Sequence, residues 1–227
     1  MNKKIAALIV LLVFCAVIGA RLESMQLVQN RIQAGSSSTQ MLLSLLGELR
    51  YTLAAFIWLK TEFYHHEYEF TQKDWRQNEP LMPLIRLVTL LDPHFVQAYD
   101  FGGYHLAVNL KKPDEALNFL HEGIEHNPQS FELLWETGYI LYQEKKYREA
   151  IPYLLQALPL WRQSSSMDNV ALKEIWVVSR IAHSYWELGE YQNAEKYLRE
   201  WLTLAPMANW PVEKLKEIEA MKKSPKK

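Results

Sequence analysis

The sequence predicts an all-α protein: an N-terminal membrane helix, an α-solenoid of about three to four helical hairpins, and a C-terminal capping helix. Three observations predict it. Small residues recur with a period near 34 between Gly103 and Pro206. No stretch alternates apolar and polar residues as a half-buried strand would. Near the start, the run Ile5 to Ala20 carries no charge.

Composition narrows the function classes. A chain of 227 residues makes one domain or two small ones. Lys and Arg total 25 against 26 Asp and Glu, so the net charge is −1 and there is no basic field to recruit nucleic acid. With 12% aromatic residues and only 8 Gly and 10 Pro, the chain has side chains for a sizeable core and is not low-complexity. The single cysteine, Cys15, excludes a disulfide framework and any paired-cysteine metal or redox site.

The leader has two readings. As a helix, Ile5–Ala20 spans about 24 Å, short of a hydrocarbon core of about 30 Å. Behind Lys3 and Lys4 it reads as an uncleaved signal anchor in the cytoplasmic (inner) membrane, a single pass with the bulk of the chain on the extracytoplasmic side. Ile18-Gly19-Ala20 alternatively offers a cleavage site, after which the chain would be exported. The anchor is favoured, because Ile is a poor residue three places before a cut and the helical pattern continues through Leu22, Met25 and Val28.

Gly35-Ser36-Ser37-Ser38 breaks that first helix and supplies N-caps for the next. Leu42 to Phe70 reads as one long helix, apolar almost all round as far as Leu59. Such a helix is buried in a core, which is favoured, or lies against a membrane or a partner. Thr71 to Asn78 is a polar loop, and Leu81 to Leu91 a helix closed by Pro93.

The periodic part follows. Ala116 to Ala150 is 34 residues, and so is Gly123 to Ala157; Ala150 to Ala194 is 44, an insertion of ten placed in the polar stretch near Arg162 to Asn169. Small residues at Gly138 and Ala150, or Ala182 and Ala194, let antiparallel helices approach, while Tyr147, Leu154 and Tyr185 fill the seams. Gly103 to Ala116 is one residue longer than the matching intervals, which puts an extra residue in that hairpin turn. Trp201 stands where a small residue is usual, so the last pair is wider or packs differently. Asn209-Trp210-Pro211 opens a final helix whose narrow stripe is Val212, Leu215, Ile218 and Met221.

The segments WETGYILYQEKKYREAIPYLLQAL and IAHSYWELGEYQNAEKYLREWLTLAP resemble tetratricopeptide repeats. The stretches RYTLAAFIWLK and PLIRLVTLLDPHFVQAY are similar to a group of bacterial membrane-anchored repeat proteins, a likeness that carries no activity. The resulting division is a signal-anchor helix and its extension (1–34), a degenerate first hairpin (35–93), three repeats (94–208, insertion about 161–171), a capping helix (209–223) and a tail (224–227).

In the repeat family the first helix of each pair lines the concave face. The resemblance therefore implies a protein-binding groove of Asp100, Tyr104, Glu132, Trp135, Tyr139, Tyr142, Trp176, His183 and Trp186, with Ser179 beside them. This face is aromatic and mildly acidic, suited to an extended peptide or a partner helix. Repeat proteins that clamp a terminal carboxylate use Lys, Arg and Asn there; here only Arg180 is basic.

No nucleotide, nucleophile-elbow or zincin motif occurs. The one metal-like arrangement is Glu62, His65, His66 and Glu69 on a single helix, half of what a bundle site requires, and no facing helix carries a similar pair. His121 with Glu125, and Glu122 with His126, read as surface pairs one helical turn apart. The expectation is a non-enzymatic, membrane-tethered scaffold or adaptor without cofactor, nucleic acid or small-molecule substrate. Its partners would be a membrane or exported protein, and the bilayer through Ile5–Ala20. The alternatives are a chaperone-like holder of exported chains near a translocon or maturation complex, and a metal enzyme at Glu62, His65, His66 and Glu69.

Overall fold

The structure, a computed structural model, describes residues 46–71, 81–163 and 170–223, with side chains at all of these except 68–71 and 170–173. The expected membrane helix Ile5–Ala20, its possible cleavage, the break at Gly35–Ser38, the polar loop 72–78 and the basic tail 224–227 lie outside those residues. Among the described residues no helix is long and apolar enough to cross a membrane.

The described residues form nine α-helices and no strand. They are α1 (Leu49–Thr71), α2 (Leu81–Leu91), α3 (Val96–Tyr104, continued by a π-helical turn His105–Asn109), α4 (Pro113–His126), α5 (Phe131–Gln143), α6 (Tyr147–Gln163), α7 (Val170–Glu187), α8 (Tyr191–Leu204) and α9 (Asn209–Lys223). The chain divides into two compact units at Phe56 and Ile57, inside α1. In the first unit, Gly47 has φ +52 and precedes the helix, which starts at Leu49 rather than running unbroken from Leu42. Leu49, Leu53 and Phe56 are exposed, as are Leu59 and Phe63 beyond the boundary. The described part of this apolar helix is therefore not the fully buried core element its composition suggests.

In the second unit, consecutive hairpins pack through the small residues of the period. Ala116, Ala150, Ala157, Ala182 and Ala194 are fully buried. A Cβ at Gly138 would meet Leu154 Cγ at 2.8 Å, so the α5–α6 approach needs glycine there. At each hairpin turn one residue is left-handed: Lys111 (φ 59), Lys145 (φ 58) and Gly189 (φ 72). Each precedes its buried alanine (Ala116, Ala150, Ala194) by five residues, so the turns themselves are equivalent. The extra residue between Gly103 and Ala116 therefore sits before the turn. The π segment absorbs it: Leu110 N–H donates to His105 C=O at 2.9 Å, five residues back, and Lys112 N–H to Leu106 C=O at 2.8 Å. A π turn takes an additional residue while keeping its backbone donors satisfied, which an enlarged loop would not.

The described residues on either side of the ten-residue insertion are helical. α6 has 17 residues against 14 in α4, and α7 has 18 against 13 in α5. Arg162 ties the extension down, with its guanidinium on Glu174 Oε1 at 2.7 Å and on Glu200. At the junction of α2 and α4, Asn127 Nδ2 donates to the carbonyls of Pro93 and Gly123, both at 3.0 Å. Glu122 pairs with Arg86 at 2.6 Å rather than with His126, and His121 meets Tyr153 at 2.9 Å.

The closing helix does more than cover apolar surface. Pro211, Leu215 and Ile218 are its buried residues, whereas Met221 is exposed. Trp210 packs on Trp201 with ring centroids 5.5 Å apart, so the large residue at 201 is the seat of the cap.

Candidate functional site

Helices α3, α5 and α7 are the first members of their hairpins and carry the expected groove residues. α5 starts at a Ser130 cap, whose Oγ accepts the Leu133 amide at 3.4 Å and donates to Glu132 at 2.8 Å. One turn on, Trp135 and Tyr139 stack at 5.5 Å with 20° between their planes, and Gln143 donates to the Tyr139 hydroxyl at 2.6 Å. That stack is a rigid, half-buried aromatic ledge.

Beside it is a cavity of about 160 Å³ lined by Asp100 of α3, Phe131, Glu132, Trp135 and Glu136 of α5, and Trp176 of α7. Trp176 is 48% exposed, while Phe131 is buried against Trp161 at 4.8 Å. Glu136 is only 6% exposed, and its Oε1 has no hydrogen-bond partner among the described residues. Burial, and secondarily the neighbouring Asp100 carboxylate, push the Glu136 carboxyl up to about 8. Sequence reasoning missed Glu136. A signal exists: it is an acid one turn after Glu132, immediately before the close-packed Thr137-Gly138.

The other expected groove residues divide differently. Tyr104 is exposed at the end of α3. Tyr142 stands edge-on to His183 at 5.4 Å and to Tyr147 at 5.7 Å, with the Arg180 guanidinium 5.3 Å from its ring. Ser179 is buried and bonds back to the Trp176 carbonyl at 2.9 Å, so it does not face the groove. His183 and Trp186 lie under the capping helix: Trp210 is 5.3 Å from His183 and 6.3 Å from Trp186, and Lys214 stands 4.4 Å over the Trp186 ring. Burial lowers the His183 pKa, and Glu187 opposes that shift at 3.7 Å. These two residues are thus engaged by the chain itself, leaving the Asp100, Glu132, Trp135, Tyr139 and Trp176 part of the groove.

The three metal candidates with described side chains do not converge. Glu62 and His66 are exposed, while His65 turns inward, edge-on to Phe101 at 5.1 Å and 6.4 Å from the His105 ring. The Glu69 side chain lies outside the described ones. Among the described residues no three His, Cys, Asp or Glu gather closely enough to hold a metal ion. Larger clefts of about 640 and 480 Å³ surround Arg86 and Glu122, whose charges already pair.

Antiparallel hairpins stacked through small residues, with an aromatic face on their first helices, define a tetratricopeptide-repeat-like solenoid. Family models described as tetratricopeptide repeat match residues 105–165 and 179–206, so the chain carries such repeats there. Repeats of this kind are typically non-enzymatic scaffolds that bind protein partners. Among curated proteins none matches this sequence. Three solved structures share the fold. The pilF protein of Pseudomonas aeruginosa is 16% identical, with a TM-score of 0.51 over 72% of this chain and 69% of its own. PilW, a widely conserved type IV pilus biogenesis factor, is 14% identical, with a TM-score of 0.51 over 90% of each chain. MamA of Desulfovibrio magneticus RS-1, from residue 41 to its end, is 13% identical, with a TM-score of 0.50 over 74% of this chain and 98% of its own.

Proposed function

We propose that this protein is a membrane-tethered, non-enzymatic scaffold or adaptor that holds a partner polypeptide along α3, α5 and α7. The observation that carries the reading is the Trp135–Tyr139 ledge beside the exposed Trp176, flanked by Asp100 and Glu132. Rigid aromatics at such a position give a large contact area at low entropic cost, and the acids around them select the partner. The tether rests on the charge-free run Ile5–Ala20 behind two lysines. Tethering confines both partners to a plane and raises their effective concentration. The solved neighbours support the fold of this reading.

Crosslinked capture from native membranes tests it, using the intact chain, a chain lacking residues 1–30, and the double variant Trp135→Ala, Tyr139→Ala. The expected result is one dominant partner, lost with the double variant. A broad set of exported chains would instead make the protein a holder of unfolded clients. Capture that survives the double variant but is lost with residues 1–30 moves the binding surface out of the groove.

A further inference from the structure

Three carboxyl groups and three aromatic rings line one small cavity, and one carboxyl oxygen among them is buried without a partner. Asp100 and Glu132 supply negative charge at its mouth and Glu136 a buried carboxyl; Phe131, Trp135 and Trp176 supply the rings. The unpartnered Glu136 Oε1 is the telling atom. A buried carboxylate oxygen without a donor is costly, and folded proteins retain few of them. An apolar side chain entering here would leave that atom unpaired, and an anion would be repelled by Asp100 and Glu132. A cation with N–H donors satisfies both demands: it donates to the carboxylates and lies against the aromatic faces. The acids do not close on a metal-sized site, which favours an organic cation over a metal ion.

The geometry points to the cavity between α3, α5 and α7 as a receptor for one cationic side chain, lysine or arginine, of the bound partner polypeptide. This rests on the groove reading and adds the chemistry of its anchor. The protonation of Glu136 fits it. The carboxyl, held up to about 8 in the empty site, is neutral at pH 7 and becomes ionised when a cation neutralises the pocket. Cation entry therefore releases a proton, and affinity rises as pH increases toward 8. Asp100 and Glu132 remain the outer acids that draw the cation in.

The test uses the full chain in detergent with indole-¹⁵N-labelled tryptophan, titrated with N-acetyl-arginine methylamide, N-acetyl-lysine methylamide and the neutral isostere N-acetyl-citrulline methylamide. The Trp135 and Trp176 indole signals, assigned with Trp135→Phe and Trp176→Phe, are expected to shift saturably with the cationic probes. Binding of citrulline should be at least about tenfold weaker. Glu136→Gln should weaken the cationic probes by about tenfold or more and abolish proton release in weakly buffered solution, while its melting temperature at pH 7 stays unchanged or rises. Equal binding of citrulline, undiminished binding to Glu136→Gln, or no saturable shift with either cation overturns the inference. Partner capture that needs Trp135 and Tyr139 but survives Glu136→Gln leaves the groove and removes the cation; capture indifferent to all three removes both.

Discussion

The Leu110 amide donates to the His105 carbonyl at 2.9 Å, closing a five-residue π turn where the other repeats have α-helix. One residue is therefore supernumerary, and the turn beyond it at Lys111 is unaffected. Deleting Val108 should convert the π turn to α-helix and restore the common interval. The unfolding free energy should then change by less than about 1 kcal/mol. Deleting Ile140, a buried residue in the regular α5, should abolish cooperative unfolding. Urea denaturation followed by circular dichroism compares the two. A large loss with the Val108 deletion would mean that the π turn is needed for packing in its own right.

Lys145 holds a left-handed conformation that Gly189 holds at the equivalent turn. An L-residue there is less favourable than glycine by about 1 kcal/mol. Lys145→Gly should stabilise the protein by about that amount, and Gly189→Ala should destabilise it comparably although a Cβ at 189 meets nothing within 4 Å. Paired urea titrations measure both. An unchanged midpoint in Lys145→Gly would show that the lysine side chain offsets the strain.

The spacing of Ala116, Ala150 and Ala194 made the hairpins legible, because close helix approach leaves small residues no substitute. The count between Gly103 and Ala116 revealed an extra residue but not its place, since a loop and a π turn differ by hydrogen bonding rather than composition. The insertion was placed near Arg162 because the residues there are polar; the pairing of Arg162 with Glu174 and Glu200, which ties the end of α6 to α7 and α8, is a tertiary contact. In the candidate site, Trp135 and Tyr139 were visible from register once the repeat resemblance implied which helix lines the concave face. The burial of Glu136 and the covering of His183 and Trp186 by Trp210 depend on neighbouring helices, which register does not encode.

Glu136 also makes stability depend on pH. The folded carboxyl stays protonated up to about 8, while the unfolded one ionises near 4.5. Between those values the folded state binds the extra proton. Its contribution is thus fully present below about 4.5, falls as pH rises, and is gone above about 8. Glu136→Gln should remove this slope and leave the variant more stable than the parent at pH 8 by on the order of 4 kcal/mol. Denaturation at pH 4.5 and pH 8 for both proteins checks it; parallel behaviour would clear Glu136 of the effect.

Trp210 should hold the end of the solenoid closed. It touches Trp201, His183 and Trp186, so Trp210→Ala should loosen α9 at a loss of about 2–3 kcal/mol. Burial lowers the His183 pKa, so the unfolded state binds more protons below the usual 6.5 and stability declines as pH falls through that region. Removing Trp210 re-exposes the ring, which should move its titration back toward 6.5. Histidine NMR titration of parent and variant reads this directly, and an unmoved His183 would place the desolvation elsewhere.

At Gly138 an added side chain would meet backbone as well as a side chain. An added Cβ would stand 2.8 Å from Leu154 Cγ and 3.3 Å from the Leu154 backbone nitrogen. The leucine tip can rotate, but the backbone nitrogen belongs to α6 and moves only with the helix. In a helix interior, alanine is intrinsically favoured over glycine by about 1 kcal/mol. Overpacking of about 1–3 kcal/mol opposes that gain, and the fixed backbone contact decides the sign. Gly138→Ala should therefore destabilise by about 1–2 kcal/mol net. Adding Leu154→Ala should give back part of that loss by emptying the space the new methyl needs, so the two changes together should cost less than their sum. A double-mutant cycle by urea denaturation measures the coupling. Strict additivity would show that α5 and α6 separate to admit the methyl group rather than meeting it at Leu154.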